Sequence, residues 1–167
     1  MPDSSLVVHP KEDVRVHYTG CIIDEEHWDV VADGFLWLPD STIHICNNLD
    51  MLSDVEPKRG IIRCNYGTSD DIEFQLVGKM NVLVTQPDRS IRKVTIQPVV
   101  YWPDAAFNVF APTAFDDGPG PRTVYHIGYP EGHVLKLSDG TVLKSVARGY
   151  ADCLDFVLAP REDRLAA

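Results

Sequence analysis

The sequence predicts an all-β protein, and three observations support that prediction. Apolar and polar residues alternate with a period of two in several short runs, which is typical of strands with one buried face. Turn-forming residues separate these runs, and helix signals are scarce. A chain of 167 residues with this pattern suits one barrel or sandwich of short strands. The alternating runs are residues 14–18, 72–77, 92–97 and 134–137.

Turns and helices follow from local chemistry. Residues 135–146 read LKLSDGTVLKSV, so Asp139-Gly140 lies between two alternating runs and predicts a β-hairpin. Two short helical stretches are predicted, one at residues 48–52 after an Asn cap and one at residues 104–110 after Pro103. The Asp/Gly/Pro-rich residues 116–121 form the one plausible internal linker.

Composition excludes several classes of function. The formal net charge of −10 repels phosphate backbones, and the basic residues form no patch, so we expect no nucleic-acid partner. No run approaches the roughly 20 apolar residues that span a bilayer, and the N-terminus lacks the features of a secretion signal. We therefore expect no membrane association and an intracellular protein, cytoplasmic or nuclear. The four widely spaced cysteines predict free buried thiols rather than disulfides or a zinc ribbon.

Residues 37–48, WLPDSTIHICNN, contain the main catalytic candidate. An apolar strand delivers Asp40 at its end, and the polar pair Ser41-Thr42 follows. Aspartic proteases place each of two carboxylates on such a turn, where the two share one proton. A chain with a single turn of this kind would need a homodimer, with the two Asp40 residues meeting on the two-fold axis. The alternative is an ordinary Asx turn with no chemistry.

Several segments, in order, resemble the protease of copia-type retrotransposon polyproteins. The first two are Trp37-Leu38-Pro39-Asp40-Ser41 and His44-Ile45-Cys46-Asn47-Asn48, the two halves of that family's signature. The resemblance covers about residues 35–158 and is stronger than any one motif because order and spacing agree. The remaining matching segments are residues 98–104, 107–109, 132–140 and 153–158.

The resemblance implies a retropepsin-like acid-protease β-barrel with one or two short helices, working as a two-fold homodimer. It identifies Asp40 with the catalytic aspartate, Ser41 with the hydroxyl that braces the two turns across the dimer, and Tyr66-Gly67 with the tip of the flap. The partner it implies is an extended peptide or a polyprotein segment, and it implies no cofactor and no metal. The chain divides accordingly into an N-terminal extension with an extra strand or hairpin (1–34), the retropepsin-like domain (35–158) and a C-terminal tail (159–167).

The turn departs from the family at one position. Thr42 stands where the family has Gly, or, if His44 is aligned with the family's His, a Gly-Ala pair is deleted. Glycine lets the backbone approach the carboxylate, whereas Thr is β-branched and resists such conformations. Two hypotheses follow: a retropepsin-like homodimer with impaired or lost protease activity that acts as a peptide-binding or scaffold module, or an active aspartic endopeptidase that uses one Asp40 from each protomer.

Other candidate sites are weaker. His44 and Cys46 could share a metal only with distant partners, so a buried core pair is the preferred interpretation. Cys46 and Cys153 have no elbow or oxyanion motif beside them that would indicate a nucleophile. His126 and His133 flank a turn, and we expect them on the surface.

Overall fold

The structure is a computed structural model that describes residues 15–19, 34–64, 71–105, 107–130, 132–148 and 151–160. These residues are predominantly β, which confirms the all-β prediction. The strands are β1 (Arg15–Thr19), β2 (Phe35–Trp37), β3 (His44–Cys46), β4 (Ser53–Cys64), β5 (Asp71–Thr85), β6 (Ile91–Tyr101), β7 (Asn108–Phe110), β8 (Thr123–Tyr129), β9 (Gly132–Leu137), β10 (Val142–Arg148), β11 (Ala151–Leu154) and β12 (Val157–Leu158).

The strands form one mixed sheet with two ends. Its order is β1-β4-β5-β6-β3-β7-β2-β11-β10-β9-β8, and β12 adds to β5 beside this path. Within the described residues, β1 and β8 do not pair with each other, so the hydrogen-bonded order is open rather than closed into a ring. The retropepsin-like barrel and its dimer therefore stay predictions.

The main core lies under the long hairpins. Met80, Val82 and Val84 of β5 alternate along one buried face and join Val94 and Ile96 of β6 in one cluster. This period of two is what the alternating sequence predicts for strands with one buried face. The predicted runs at 72–77 and 92–97 lie within β5 and β6, which are longer than either run.

Three short strands set the geometry around Asp40. β7 pairs with β2 in parallel and with β3 in antiparallel orientation, so it lies between the two strands that flank the Asp40 turn. All three strands are buried along their whole length. Both ends of the turn are therefore held by β7, and β2 and β3 are held on their other sides by β11 and β6.

One of the two helix predictions is confirmed and one is wrong. Asn48 caps a 3-10 turn over Leu49–Met51, its side chain accepting a hydrogen bond from the Asp50 N–H. Residues 108–110 of the predicted 104–110 helix form strand β7 instead. A short apolar run buried on both sides cannot be told from a helix by periodicity, and here strand pairing decided.

The second helix lies further along the chain. It is a 3-10 helix over Pro112–Asp117, called the Pro112 helix below, and Pro112 occupies its first turn, where a missing N–H costs nothing. Asp116 and Asp117 belong to it, so the predicted linker at 116–121 begins inside a helix. The hairpin predicted at residues 135–146 is confirmed as β9–β10, with Gly140 at a φ of 90° in its turn.

Residues on both sides of the predicted domain are hydrogen-bonded to its sheet. β1, within the predicted N-terminal extension, pairs in parallel with β4. At the other end Ala159 is buried and its N–H donates to the Asn81 carbonyl. In the described part of the chain, no helix has the length and apolar character needed to cross a bilayer. Cys46 and Cys153 are free and buried, as predicted for them.

Candidate functional site

Asp40 lies at the exposed corner of a tight turn. The apolar strand β2 is held by β7 up to Leu38, whose N–H donates to the Phe110 carbonyl at 2.9 Å. Pro39 then begins a turn closed by the Ser41 N–H, which donates to the Leu38 carbonyl at 3.2 Å. Asp40 is exposed, and no described residue makes a hydrogen bond or ion pair with its carboxylate. The turn therefore presents one exposed carboxylate from a base held by hydrogen bonds.

Ser41 is buried and braces the turn from within. Its hydroxyl donates to the Ile43 carbonyl at 2.8 Å and lies 3.4 Å from the Ile43 N–H. The Ser41 carbonyl in turn accepts a hydrogen bond of 2.9 Å from the Thr113 hydroxyl on the Pro112 helix. The hydroxyl that the resemblance assigns to bracing across a dimer is thus bonded within its own turn.

Thr42 is accommodated without backbone strain of the left-handed kind. The non-glycine residues with positive φ in the described chain are Asp54 and Arg89, so Thr42 has a φ that a β-branched residue accepts. The turn has therefore adopted a conformation that does not require the glycine of the protease signature.

His44 lies directly under the turn and is fully buried. Its Nδ1 accepts a hydrogen bond of 3.0 Å from the Ala111 N–H, which places the proton of the neutral ring on Nε2. The ring stacks on Phe110 with centroids 5.3 Å apart. Nε2 has no hydrogen-bond partner in the structure. Burial lowers the pKa of His44 from 6.5 to about 3.

Two hydrogen bonds therefore tie the Asp40 turn to the start of the Pro112 helix: Thr113 to the Ser41 carbonyl, and the Ala111 N–H to His44. At the opposite end of these strands, the buried Asn108 side chain accepts from the Asn47 N–H at 2.7 Å and donates to the Gly34 carbonyl at 3.3 Å. Sequence reasoning missed Asn108; the signal was a polar residue opening an apolar run.

Replacing Thr113 tests whether its hydrogen bond to the Ser41 carbonyl stabilises the Asp40 turn. Thr113→Val keeps the shape of the side chain but removes the donor to Ser41, and we expect it to lower the free energy of unfolding by about 1 kcal/mol. Thr113→Ser retains the hydroxyl and should lose less than half as much. Urea denaturation of both variants measures the difference, and equal losses would show that the hydrogen bond does not stabilise the turn.

The predicted flap residues Tyr66 and Gly67 fall in residues 65–70, outside the described residues. Their supporting strands, β4 and β5, form an antiparallel hairpin with Arg63 opposite Asp71 next to that segment. Arg63 and Asp71 form a two-pronged ion pair with both N–O distances at 2.9 Å, and this hydrogen bonding lowers the pKa of Asp71. The β4–β5 hairpin is thus paired as far as Arg63 and Asp71, the last described pair before the predicted tip of the flap.

His126 and His133, expected on the surface, are only partly exposed. Both are half-buried over Trp37: the Trp37 indole N–H donates to His126 Nε2 at 3.2 Å, and the His133 ring stacks on the indole with centroids 5.7 Å apart. His133 Nε2 also lies 3.7 Å from the Asp152 carboxylate. Burial and then the charge of His133 lower the pKa of His126. Only the packing of the β8–β9 hairpin over β2 brings these residues together.

His44 and Cys46 are both fully buried, as the preferred interpretation of that pair held. Cys46 Sγ lies 3.2 Å from the Asn48 carbonyl oxygen, and burial raises the pKa of the thiol to about 11. The described residues contain no cluster of three or more His, Cys, Asp or Glu suited to a metal ion.

The chain has no match among models of protein families, among curated proteins or among solved structures. The resemblance to copia-type retropepsins therefore rests on the sequence segments alone.

Proposed function

We propose that this protein is a retropepsin-like binding module, derived from a retrotransposon protease, whose two protomers meet at the Asp40 turn and whose proteolytic activity is lost or strongly impaired. Its ligand is an extended peptide or polyprotein segment held against strand edges by main-chain hydrogen bonds. The catalytic turn survives in this proposal as a structural element of the dimer.

The observation that carries the proposal is the position of Asp40. Its carboxylate projects from an exposed turn while the residues on either side, Leu38 and Ser41, are anchored by hydrogen bonds. In this proposal the second carboxylate comes from another copy of the same turn. An exposed carboxylate on an anchored turn is compatible with a two-fold aspartic dyad, and the order of the sequence segments supports it.

Three features favour loss of catalysis. Thr42 adds a β-branched side chain where an approaching backbone or substrate would need space. The Ser41 hydroxyl already donates to Ile43 and is not free to donate across a dimer. Burial lowers the pKa of His44, so the stability of the fold decreases toward the acidic pH where a proton-sharing dyad works.

Immobilised protein incubated with a mixed peptide library at pH 4 to 6, beside Asp40→Asn, separates the two hypotheses. We expect neither protein to cleave the peptides at this pH and both proteins to retain the same peptides at pH 7, as read by mass spectrometry. Cleavage by the unmodified chain that Asp40→Asn abolishes would instead establish an active endopeptidase with one Asp40 from each protomer.

A separate cross-linking experiment tests the proposed dimer. Asp40→Cys, in a chain with Cys21→Ser and Cys64→Ser, should form a disulfide-linked dimer on mild oxidation because the two turns meet at the axis. Asp104→Cys is the matched control, since Asp104 is also an exposed turn residue. Equal cross-linking at the two positions would contradict a dimer through the Asp40 turn.

A further inference from the structure

Strand β8 ends the sheet with an exposed apolar edge. Among the described residues no strand pairs with it on the side away from β9. Tyr125, Ile127 and Tyr129 alternate along one face of the strand and are 40, 40 and 47% exposed. An edge strand with free N–H and C=O groups and apolar side chains is a template for pairing with another strand. Proteins that remain monomeric usually place charge or proline on such an edge.

Strand β8 itself contains neither a charged residue nor a proline. Its sequence is TVYHIGY, without a formally charged residue at neutral pH, in a chain whose formal net charge is −10. A second copy of the same strand therefore brings no like charge directly against this edge.

The regular part of β8 also defines a register. The ladder with β9 is irregular between Thr123 and Tyr125, and Pro130, which lacks an N–H, follows Tyr129. Continuous pairing on the free edge is thus available over residues 125–129, whose centre is Ile127. An antiparallel self-pair about Ile127 sets Tyr125 opposite Tyr129 of the second copy, and Ile127 opposite its own equivalent. Such aromatic and β-branched cross-strand pairs stabilise antiparallel sheets.

The nearest charge on this face does not oppose the pairing. Lys136 on β9 lies opposite Tyr125 on the same face. In the self-pair the two Lys136 residues are separated by at least three strand spacings of about 4.8 Å each, or at least about 14 Å. That separation exceeds the screening length of about 8 Å at physiological ionic strength.

We propose that β8 is a self-association edge, through which two copies of this chain join their sheets by antiparallel pairing centred on Ile127. This contact is separate from the Asp40 turn and does not depend on the proposed function. A chain with both contacts would assemble beyond a dimer, and a chain with only the β8 contact would stop at a dimer.

Sedimentation equilibrium of Ile127→Lys tests the edge. The two-fold pair would set two lysines directly opposite each other, so we expect self-association through this contact to weaken at least tenfold, since like charges opposed across strands destabilise the pair. Ile91→Lys is the matched control, because it makes the same change at an isoleucine that is 66% exposed on β6. Circular dichroism confirms that both variants are folded.

Disulfide trapping tests the register. Opposed residues in an antiparallel pair have Cα atoms about 4.5 to 5.5 Å apart, which suits a disulfide. Ile127→Cys, in the Cys21→Ser and Cys64→Ser background, should therefore form a linked dimer under mild oxidation, and Ile91→Cys should not. A monomeric parent chain at high concentration, self-association unchanged by Ile127→Lys, or equal linking at 127 and 91 would each overturn the proposal. The Asp40→Cys experiment has a separate outcome, so the two contacts can fail independently.

Discussion

Lowering the pH from 7 to 4 is expected to reduce the free energy of unfolding by about 3 kcal/mol through His44 alone. Burial holds the pKa of His44 at about 3 in the folded chain, against 6.5 for an ordinary histidine. Above pH 6.5 the ring is neutral in both states and favours neither. As the pH falls below 6.5, the unfolded chain binds a proton that the folded chain excludes, so stability decreases until the folded pKa is reached.

Urea denaturation between pH 7.5 and 4 measures this loss, and His44→Asn is the informative variant. The Asn amide oxygen can take the place of Nδ1 as acceptor for the Ala111 N–H, but it does not titrate. The variant should be less stable than the parent at pH 7.5 because the smaller side chain fills the site less well, yet its stability should change far less with pH. An unchanged pH dependence in His44→Asn would show that His44 is not the source of the acid sensitivity.

Other titrating groups can be separated from His44. His126 also has a lowered pKa and contributes in the same direction, so His126→Gln serves as the second variant. Asp71, Asp88 and Asp139 have pKa values lowered from 3.8, so their stabilisation is lost only as the pH falls below about that value. The interval between pH 6 and 4 therefore reports mainly on the histidines.

The position of His44 gives this result a functional meaning. It lies four residues after Asp40 and is hydrogen-bonded to the segment that leads into the Pro112 helix. Protonation of His44 would destabilise the packing that supports the Asp40 turn. A protease that relies on a proton-sharing dyad at acidic pH would be weakened at its working pH, whereas a binding module at neutral pH would not.

Phe110→Ala is expected to cause the largest loss of stability at neutral pH, about 3 to 5 kcal/mol. Phe110 is fully buried at the end of β7, where its ring contacts Trp37, His44 and Phe115 with centroids 4.8, 5.3 and 5.7 Å apart. Truncation leaves a cavity among three rings that belong to different segments. Those segments cannot close together without breaking the pairing of β2, β3 and β7.

Thermal and urea denaturation at one fixed protein concentration provide the measurement, because self-association itself raises apparent stability. Leu49→Ala is the control: Leu49 is exposed on its 3-10 turn, and its truncation should change stability by no more than about 0.5 kcal/mol. A loss below about 1 kcal/mol for Phe110→Ala would contradict the structural role assigned to this ring.

Local patterns predicted much of the secondary structure. The alternating runs at 72–77 and 92–97 became β5 and β6, and Asp139-Gly140 became a hairpin turn, because period-two burial and turn chemistry act within a few residues. The 104–110 helix failed for the opposite reason. Asn108–Phe110 is a strand because β2 and β3 flank it, and no local signal reports neighbours whose paired residues, Leu36 and Ile45, lie 73 and 64 positions before Val109.

The candidate site around Asp40 shows the same division between local signals and contacts from distant segments. Residues 37–48 identified Asp40 as the one carboxylate worth testing, and the turn after Pro39 was readable from residue type. Three contacts of the site join residues that are distant in sequence. They are the hydrogen bond from Thr113 to Ser41, the hydrogen bond between Asn108 and Asn47, and the stacking of His133 on Trp37. Each depends on strand order, which periodicity does not specify.

The sequence by itself determined the all-β class, the β9–β10 hairpin and the candidate carboxylate Asp40, because alternation, turn residues and charge are properties of neighbouring residues. Tertiary structure alone decided that Ser41 is used within its own turn, that His44 is buried, and that β8 is the last strand of the sheet among the described residues. Burial and strand order arise only when distant segments pack together. Those two properties underlie both the expected acid sensitivity of the Asp40 turn and the proposed pairing of β8 with a second copy.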